Sequence, residues 1–322
     1  MKYTDLSKLV VAVILSILFT LAFFYLTFEL PRILDELLHN FFPDVFWQRE
    51  LREQVIDAMR PYGYLTLTIT LILIVVGFAV KKGYLSILCS ITMYLPIFGY
   101  FAFAMFFLAG IGVLRVLWLA LLEVSPTLLK LGYAVYLPFL FLKLVPDGYN
   151  WYSLVQLIAL ITTGLGILIF SLGVTTWLYG KFKGYKIADF WIYKYSRHPQ
   201  YLGFLLWSYG LLLFIGFQPY TKGAFSTPPT LIWLISSIIV IGVALYEELE
   251  MRNRFGEEYI NYCKKTPFTL PLPKLLSDFI MAPSKLLIKG PPRNRMDIAI
   301  ILTVYATILI ALSYLLLLIF RL

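Results

Sequence analysis

Long unbroken apolar runs dominate the chain. Residues 9–28, 62–80, 127–145, 151–179, 200–217, 229–247 and 297–320 each read as one helix across the membrane. Crossing about 30 Å of hydrocarbon takes roughly 18–20 residues in a helix. Residues 84–122 are too long for one such helix and read as up to two. Backbone in lipid must satisfy its own polar groups, so only helices or closed barrels cross it. These runs lack the apolar–polar alternation of barrel strands. The pattern predicts an all-α, polytopic helical membrane protein with about seven to nine transmembrane helices. The first run has no small-residue cleavage site after it and reads as a retained span.

The polar segments between the runs orient them. Residues 29–61 set Arg32, Arg49, Arg52 and Arg60 against seven Asp or Glu, which suits the outer side. Residues 181–198 hold Lys181, Lys183, Lys186, Lys194 and Arg197 against Asp189 alone. Residues 259–295 hold seven basic residues against Asp278. Lysine and arginine collect on the cytoplasmic side, so both basic segments are expected there. Residues 266–295 are rich in proline and read as a non-helical connector with one amphipathic helix near 274–289.

Composition agrees with this reading. Of 322 residues, 60% are hydrophobic and 14% charged, and mean hydropathy is +0.82. A soluble domain carries about a quarter charged residues. The formal charge of +9 follows from basic loops at a membrane face, so no nucleic-acid partner is expected. Cys89 and Cys263 lie in unlike settings, one in a span and one in a polar segment. Neither a disulfide framework nor a zinc site is expected, and no metal.

The chemistry-bearing residues gather in 181–273. The stretch "YSRHPQYLG" (195–203) sits at the start of one span, and "YEELEMRNRFGEEY" (246–259) ends the next. Two spans of similar length return the chain to the face it left. Arg197 and His198 are therefore expected beside Glu247 and Glu248. Each piece has an ordinary reading. Pro199 suits the first turn of a helix. Tyr201 suits an interfacial aromatic belt. Glu248 and Arg252 have the spacing of an exposed helical ion pair. Glu247 has Met251 at i+4 and so lacks such a partner, which makes it a functional candidate. Met251, Phe255, Tyr259 and Tyr262 share one helical stripe. Gly256 inside that stripe either breaks the helix or admits a close neighbour.

Together these features resemble the isoprenylcysteine carboxyl methyltransferases and the related phospholipid methyltransferases. The carriers are "RHPQYLGFLLWSYGLLL", a polar turn (218–230), a second span and "EELEMRNRFGEEYINYCKKTPFTLP". The family pattern is Arg-His-Pro-x-Tyr-x-Gly, a helical hairpin, paired glutamates, Phe-Gly-x-x-Tyr-x-x-Tyr and a proline-containing tail. The resemblance covers roughly residues 150–273. It implies a membrane region of unknown role at 1–149, a methyltransferase-like core at 150–273, and a connector with a final span at 274–322. It also implies S-adenosylmethionine as cofactor, bound on the cytoplasmic face. Arg197, His198, Pro199, Tyr201 and Gly203 would form one wall, and Glu247 and Glu248 another. Tyr259 and Tyr262 would come from the tail. Arg197 and Glu247 would be the catalytic pair.

Two positions depart from that pattern. Tyr185 stands where the family usually has His, and Trp191 stands where it usually has Gly. The tryptophan adds a large ring to an expected tight turn. The methyl acceptor would be a membrane lipid or a prenylated substrate. Two other classes share the outline: a sterol-reductase-like enzyme using NADPH, and a non-catalytic scaffold or transporter. The sequence carries no signal for oligomeric state.

Overall fold

The protein is described by a computed structural model. It covers residues 3–42, 49–102, 113–140, 151–216, 229–270, 272–288 and 290–320. Among these residues the chain is helical and forms no strand. The α-helices are α1 (Tyr3–His39), α2 (Arg49–Ala79), α3 (Gly83–Met93), α4 (Leu95–Phe101), α5 (Leu119–Val124), α6 (Leu137–Leu140) and α7 (Trp151–Lys183). They continue with α8 (Pro199–Gly216), α9 (Thr230–Phe255), α10 (Glu257–Lys265), α11 (Lys274–Ile288) and α12 (Arg295–Phe320). Six described helices, α1, α2, α7, α8, α9 and α12, are long and apolar enough to cross a membrane. Counting the bent pair α3–α4 as one span gives seven. The chain is an integral, polytopic all-α membrane protein.

Two expected spans take another form. Residues 84–122 do not make a pair of straight helices. α3 and α4 meet at a bend of 55°, with Pro96 in the first turn of α4. After residues 103–112, which lie outside the described residues, come a 3-10 turn (Val113–Trp118) and the short α5. The expected span 127–145 is likewise not one helix over its described part. It is two 3-10 turns, Pro126–Lys130 and Tyr133–Tyr136, and the single turn α6. Pro126, Gly132 and Pro138 interrupt the helical ladder here. Neighbours supply the missing partners: Ser313 Oγ accepts from the Ala134 amide at 2.9 Å. Irregular backbone at membrane depth needs such protein partners. The expected polar turn after α8 falls mainly on residues 217–228, outside the described residues.

The chain divides into two compact units, and the boundary falls within several long helices. One unit comprises residues 24–155, 212–239 and 308–322. Here Met59, Leu114 and Val116 form a core with Leu34, Leu38 and Val55. Trp118, 1% exposed, donates its indole N–H to the Met93 carbonyl at 2.9 Å. Arg60 and Tyr64 both bond the Glu123 carboxylate, at 2.8 and 2.9 Å.

The other unit comprises residues 1–23, 156–211 and 240–307. It contains every residue of the candidate site. α7 and α8 approach so closely that only glycine fits between them. A Cβ on Gly166 would lie 2.4 Å from the Trp207 nitrogen, and one on Gly203 would lie 2.5 Å from the Phe170 nitrogen. Helices in lipid gain little from hydrophobic exclusion, so small residues that permit backbone contact drive their packing. Phe170 stacks on Phe19 and Phe23 of α1, at 6.1 and 5.2 Å between ring centroids. Tyr246 and Leu249 of α9 pack on Ile298 of α12.

This packing predicts that Gly166→Ala destabilises the protein by about 1–3 kcal/mol through overpacking. Gly164→Ala, with open space around it, is expected to be neutral or slightly stabilising. Thermal unfolding in detergent reads both.

Candidate functional site

The two sequence clusters meet, as the hairpin argument predicts. Pro199 is the first residue of α8, so Arg197 and His198 sit just ahead of its N-terminus. Glu247 and Glu248 lie in the last third of α9. Arg197 Nε donates to Glu248 Oε1 across 51 residues of sequence. Glu248 is 1% exposed, and its other oxygen accepts from Arg252 Nη2 at 3.0 Å. A buried carboxylate is tolerated only when paired and hydrogen-bonded, and here two guanidinium groups share it. The spacing that suggested an exposed i,i+4 pair thus belongs to a buried one.

Arg197 also holds the tail. Its Nη1 donates to the carbonyls of Cys263 and Thr266, at 2.9 and 2.6 Å. Its own amide donates to the Pro267 carbonyl at 3.1 Å, and the guanidinium lies 5.8 Å from the centre of the Phe268 ring. These main-chain acceptors and Phe268 escaped the sequence reading, because a carbonyl carries no side-chain signature.

Glu247 has a different setting. Its side chain is 48% exposed, and Oε1 accepts from the Tyr201 hydroxyl at 2.6 Å. Its other oxygen lies 3.8 Å from His198 Nδ1. The His198 ring stacks on Tyr201 at 5.7 Å between centroids and meets the edge of Phe268 at 5.0 Å. Its Nε2 is buried without a hydrogen-bond partner. Glu248 Oε1 lies 3.4 Å away, within ion-pair distance of the ring.

Gly256 ends α9, with φ at +55°, a value open to glycine at little cost. Of the two readings of this glycine, the break is the observed one. The stripe from Met251 to Tyr262 therefore runs over two helices rather than one. In α10, Tyr259 and Tyr262 face inward, 4% and 9% exposed. Tyr262 donates to the Tyr193 carbonyl at 2.8 Å, and Tyr193 donates to Gln200 Oε1 at 2.8 Å. Burial pushes the phenols of Tyr193, Tyr259 and Tyr262 up from the ordinary tyrosine value. Gly203 faces α7, so among the described residues it is a helix backbone that uses its missing Cβ.

Tyr262 also lines an open cleft of about 600 Å³. The other walls are Tyr179, Gly184, Tyr185, Lys186, Ile187, Asp189, Phe190, Trp191 and Glu258. Both residues that depart from the family pattern, Tyr185 and Trp191, are among them. Trp191 has φ at +49°, the left-handed region that glycine adopts freely and a bulky residue rarely does. The turn thus keeps the backbone that a glycine would favour. The indole swings outward, 45% exposed, and stacks on Tyr179 at 5.0 Å. The cleft itself was not predicted. The crowding of Tyr185, Phe190 and Trp191 in one short segment was its sequence signal.

Comparison with known proteins bears on this site. The chain is 29% identical over 87 residues to protein-S-isoprenylcysteine O-methyltransferase B of Arabidopsis thaliana, covering 27% of this chain and 40% of that protein. It is 32% identical over 87 residues to a "Probable protein-S-isoprenylcysteine O-methyltransferase" of Oryza sativa subsp. indica, covering 27% and 41%. The same values hold for the japonica protein of that description. This chain resembles the isoprenylcysteine methyltransferases. The chain spans about two fifths of the length of the curated relatives it matches. No family model matches the sequence, and no solved structure matches it.

The site separates its two glutamates physically. Glu248→Ala would leave two guanidinium groups facing a buried gap, at a cost of about 3–5 kcal/mol. Glu247→Ala removes a half-exposed group and is expected to cost under about 1 kcal/mol. Comparing the unfolding temperatures of the two variants in detergent checks this order.

Proposed function

We propose that this chain is an integral-membrane, S-adenosylmethionine-dependent methyltransferase acting on a lipid or a prenylated substrate at the cytoplasmic face. The observation that carries the reading is the Tyr201–Glu247 hydrogen bond beside the buried His198 ring. It joins the two halves of the motif in one polar pocket, next to a cleft of nucleoside size.

The residues present fit this cofactor. Its amino-acid end has a carboxylate that suits an imidazole or guanidinium donor and an ammonium that suits Glu247. Its ring and sulfonium suit aromatic walls, which Tyr179, Trp191 and Tyr262 supply. When bound, S-adenosylmethionine supplies an electrophilic methyl group on sulfur.

The chain's own residues divide the work. Arg197 spends Nε and Nη1 on Glu248 and the tail. It acts by holding segment 263–268 against the pocket. Pro199, the first residue of α8, fixes where Tyr201 projects. Tyr201 orients the Glu247 carboxylate through its hydroxyl. In-line displacement at a methyl carbon depends chiefly on alignment, so a rigid frame of this kind contributes most of the effect. A carboxylate acceptor is already ionised near neutral pH. An amine acceptor must shed a proton, and Glu247 is the half-exposed carboxylate placed to take it.

Two measurements test the reading. Calorimetry with S-adenosylmethionine is expected to give saturable binding that Glu247→Ala weakens about ten- to hundredfold, the loss of one charge-assisted bond. Methyl-labelled cofactor incubated with the protein and a total membrane extract is expected to label a lipid or prenylated product. Competition by NADPH in place of S-adenosylmethionine would favour a reductase. Binding of neither would leave a scaffold.

A further inference from the structure

Helix α11 presents apolar side chains that the rest of the described chain leaves uncovered. Leu275, Phe279 and Leu286 are 86%, 77% and 80% exposed. At 3.6 residues per turn they form one stripe, widened by Leu276 and Leu287 at 44% and 52%. Asp278 and Lys285, paired at 2.7 Å, border the stripe on one edge. The opposite face packs inward, with Ser284 and Ile288 only 3% and 7% exposed.

The helix has a fixed level relative to α12. The Tyr305 hydroxyl of α12 donates to the Ile280 carbonyl. Tyr305 lies about 15 Å along α12 from Arg295, at 1.5 Å per residue. Its side chain leans back toward the helix N-terminus. That sets the Ile280 carbonyl of α11 within about 15 Å of the charged start of α12, at the end of the span where interfacial helices lie. The segments flanking it in sequence are basic: Lys264 and Lys265 are exposed, and the Arg293 side chain, 3.6 Å from Asp297, is 76% exposed. Asp297, in contrast, is buried and accepts from the Arg293 amide at 2.9 Å, closing the start of α12.

We propose that α11 is an interfacial helix that seats its Leu275–Phe279–Leu286 stripe in a bilayer carrying anionic headgroups. Apolar area drives the insertion, and the lysines and arginine of the flanking segments add attraction to negative lipid. α11 follows the segment that Arg197 holds, so the lipid seat lies next in the chain to the candidate site. The proposal stands without the methyltransferase reading.

The test uses the full chain in vesicles of phosphatidylcholine, with or without phosphatidylglycerol. In a Cys89→Ser, Cys263→Ser background, spin labels are placed through Phe279→Cys, Leu286→Cys and Asp278→Cys. Labels at 279 and 286 are expected to meet dissolved oxygen several-fold more readily than a water-soluble nickel chelate, with the order reversed at 278. Adding phosphatidylglycerol is expected to deepen the 279 label. Equal access of the chelate to all three positions means a solvent-exposed helix and overturns the proposal. Shielding of 279 and 286 from both reagents means a protein partner and overturns it too. An unchanged depth on adding phosphatidylglycerol overturns the anionic preference. Should the cysteine replacements prevent folding, quenching of Phe279→Trp by brominated lipid, read against the unsubstituted chain, gives the same decision.

Discussion

A carboxylate with 1% exposure has to be answered by positive charge, and Glu248 is answered by Arg197 and Arg252. The desolvation cost of an unpaired ion at that depth is several kcal/mol, which gives this cluster its hold over the local geometry. Glu248 and Arg252 belong to α9. Arg197 belongs to the segment ahead of α8 and reaches on to the carbonyls of residues 263 and 266. One buried charge therefore ties the two arms of the hairpin to the tail. The positions of His198, Tyr201 and Phe268 follow from that tie.

Glu247 and Glu248 are neighbours in sequence and opposites in environment. Adjacent helical residues point about 100° apart, so one carboxylate enters the packing while the other stays half exposed beside Tyr201. This gives the site a buried anion and a half-exposed anion from one dipeptide. The phenols of Tyr193 and Tyr262 link the tail to the segment ahead of α8 and to Gln200 as hydrogen-bond donors. Trp191 adds a departure of its own. Its left-handed backbone keeps the shape of the turn, while its indole becomes an outer wall against Tyr179. Residues held in sparsely populated conformations collect at functional sites because the surroundings must repay their strain.

The same economy of contact shapes the membrane region. α7 and α8 meet backbone to backbone because Gly166 and Gly203 lack side chains. Around residues 113–140 the chain gives up long helices, and side chains such as Ser313 take over backbone hydrogen bonding. Even α11, with its uncovered leucines, obeys one rule: apolar surface in such a protein is turned either to protein or to lipid.

What the sequence determined by itself were the features written in neighbouring residues. Unbroken apolar runs set six long helices, the amphipathic pattern set α11, Pro199 set the start of α8, and Gly256 set the end of α9. The order Arg-His-Pro, hairpin and paired glutamates was also enough to bring Arg197 to Glu248. Tertiary structure alone decided which glutamate is buried, since the spacing to Arg252 suggests an exposed Glu248 and only packing against Arg197 encloses it. It also decided that residues 126–140 fold as short turns, because prolines break the helical ladder there and Ser313 and Thr230 bond the freed backbone of Ala134 and Leu129. And it decided the cleft at Tyr179 and Trp191. Apolar periodicity records that a residue is buried or exposed, whereas a site depends on which distant groups meet, and that is fixed by packing and charge pairing across the fold.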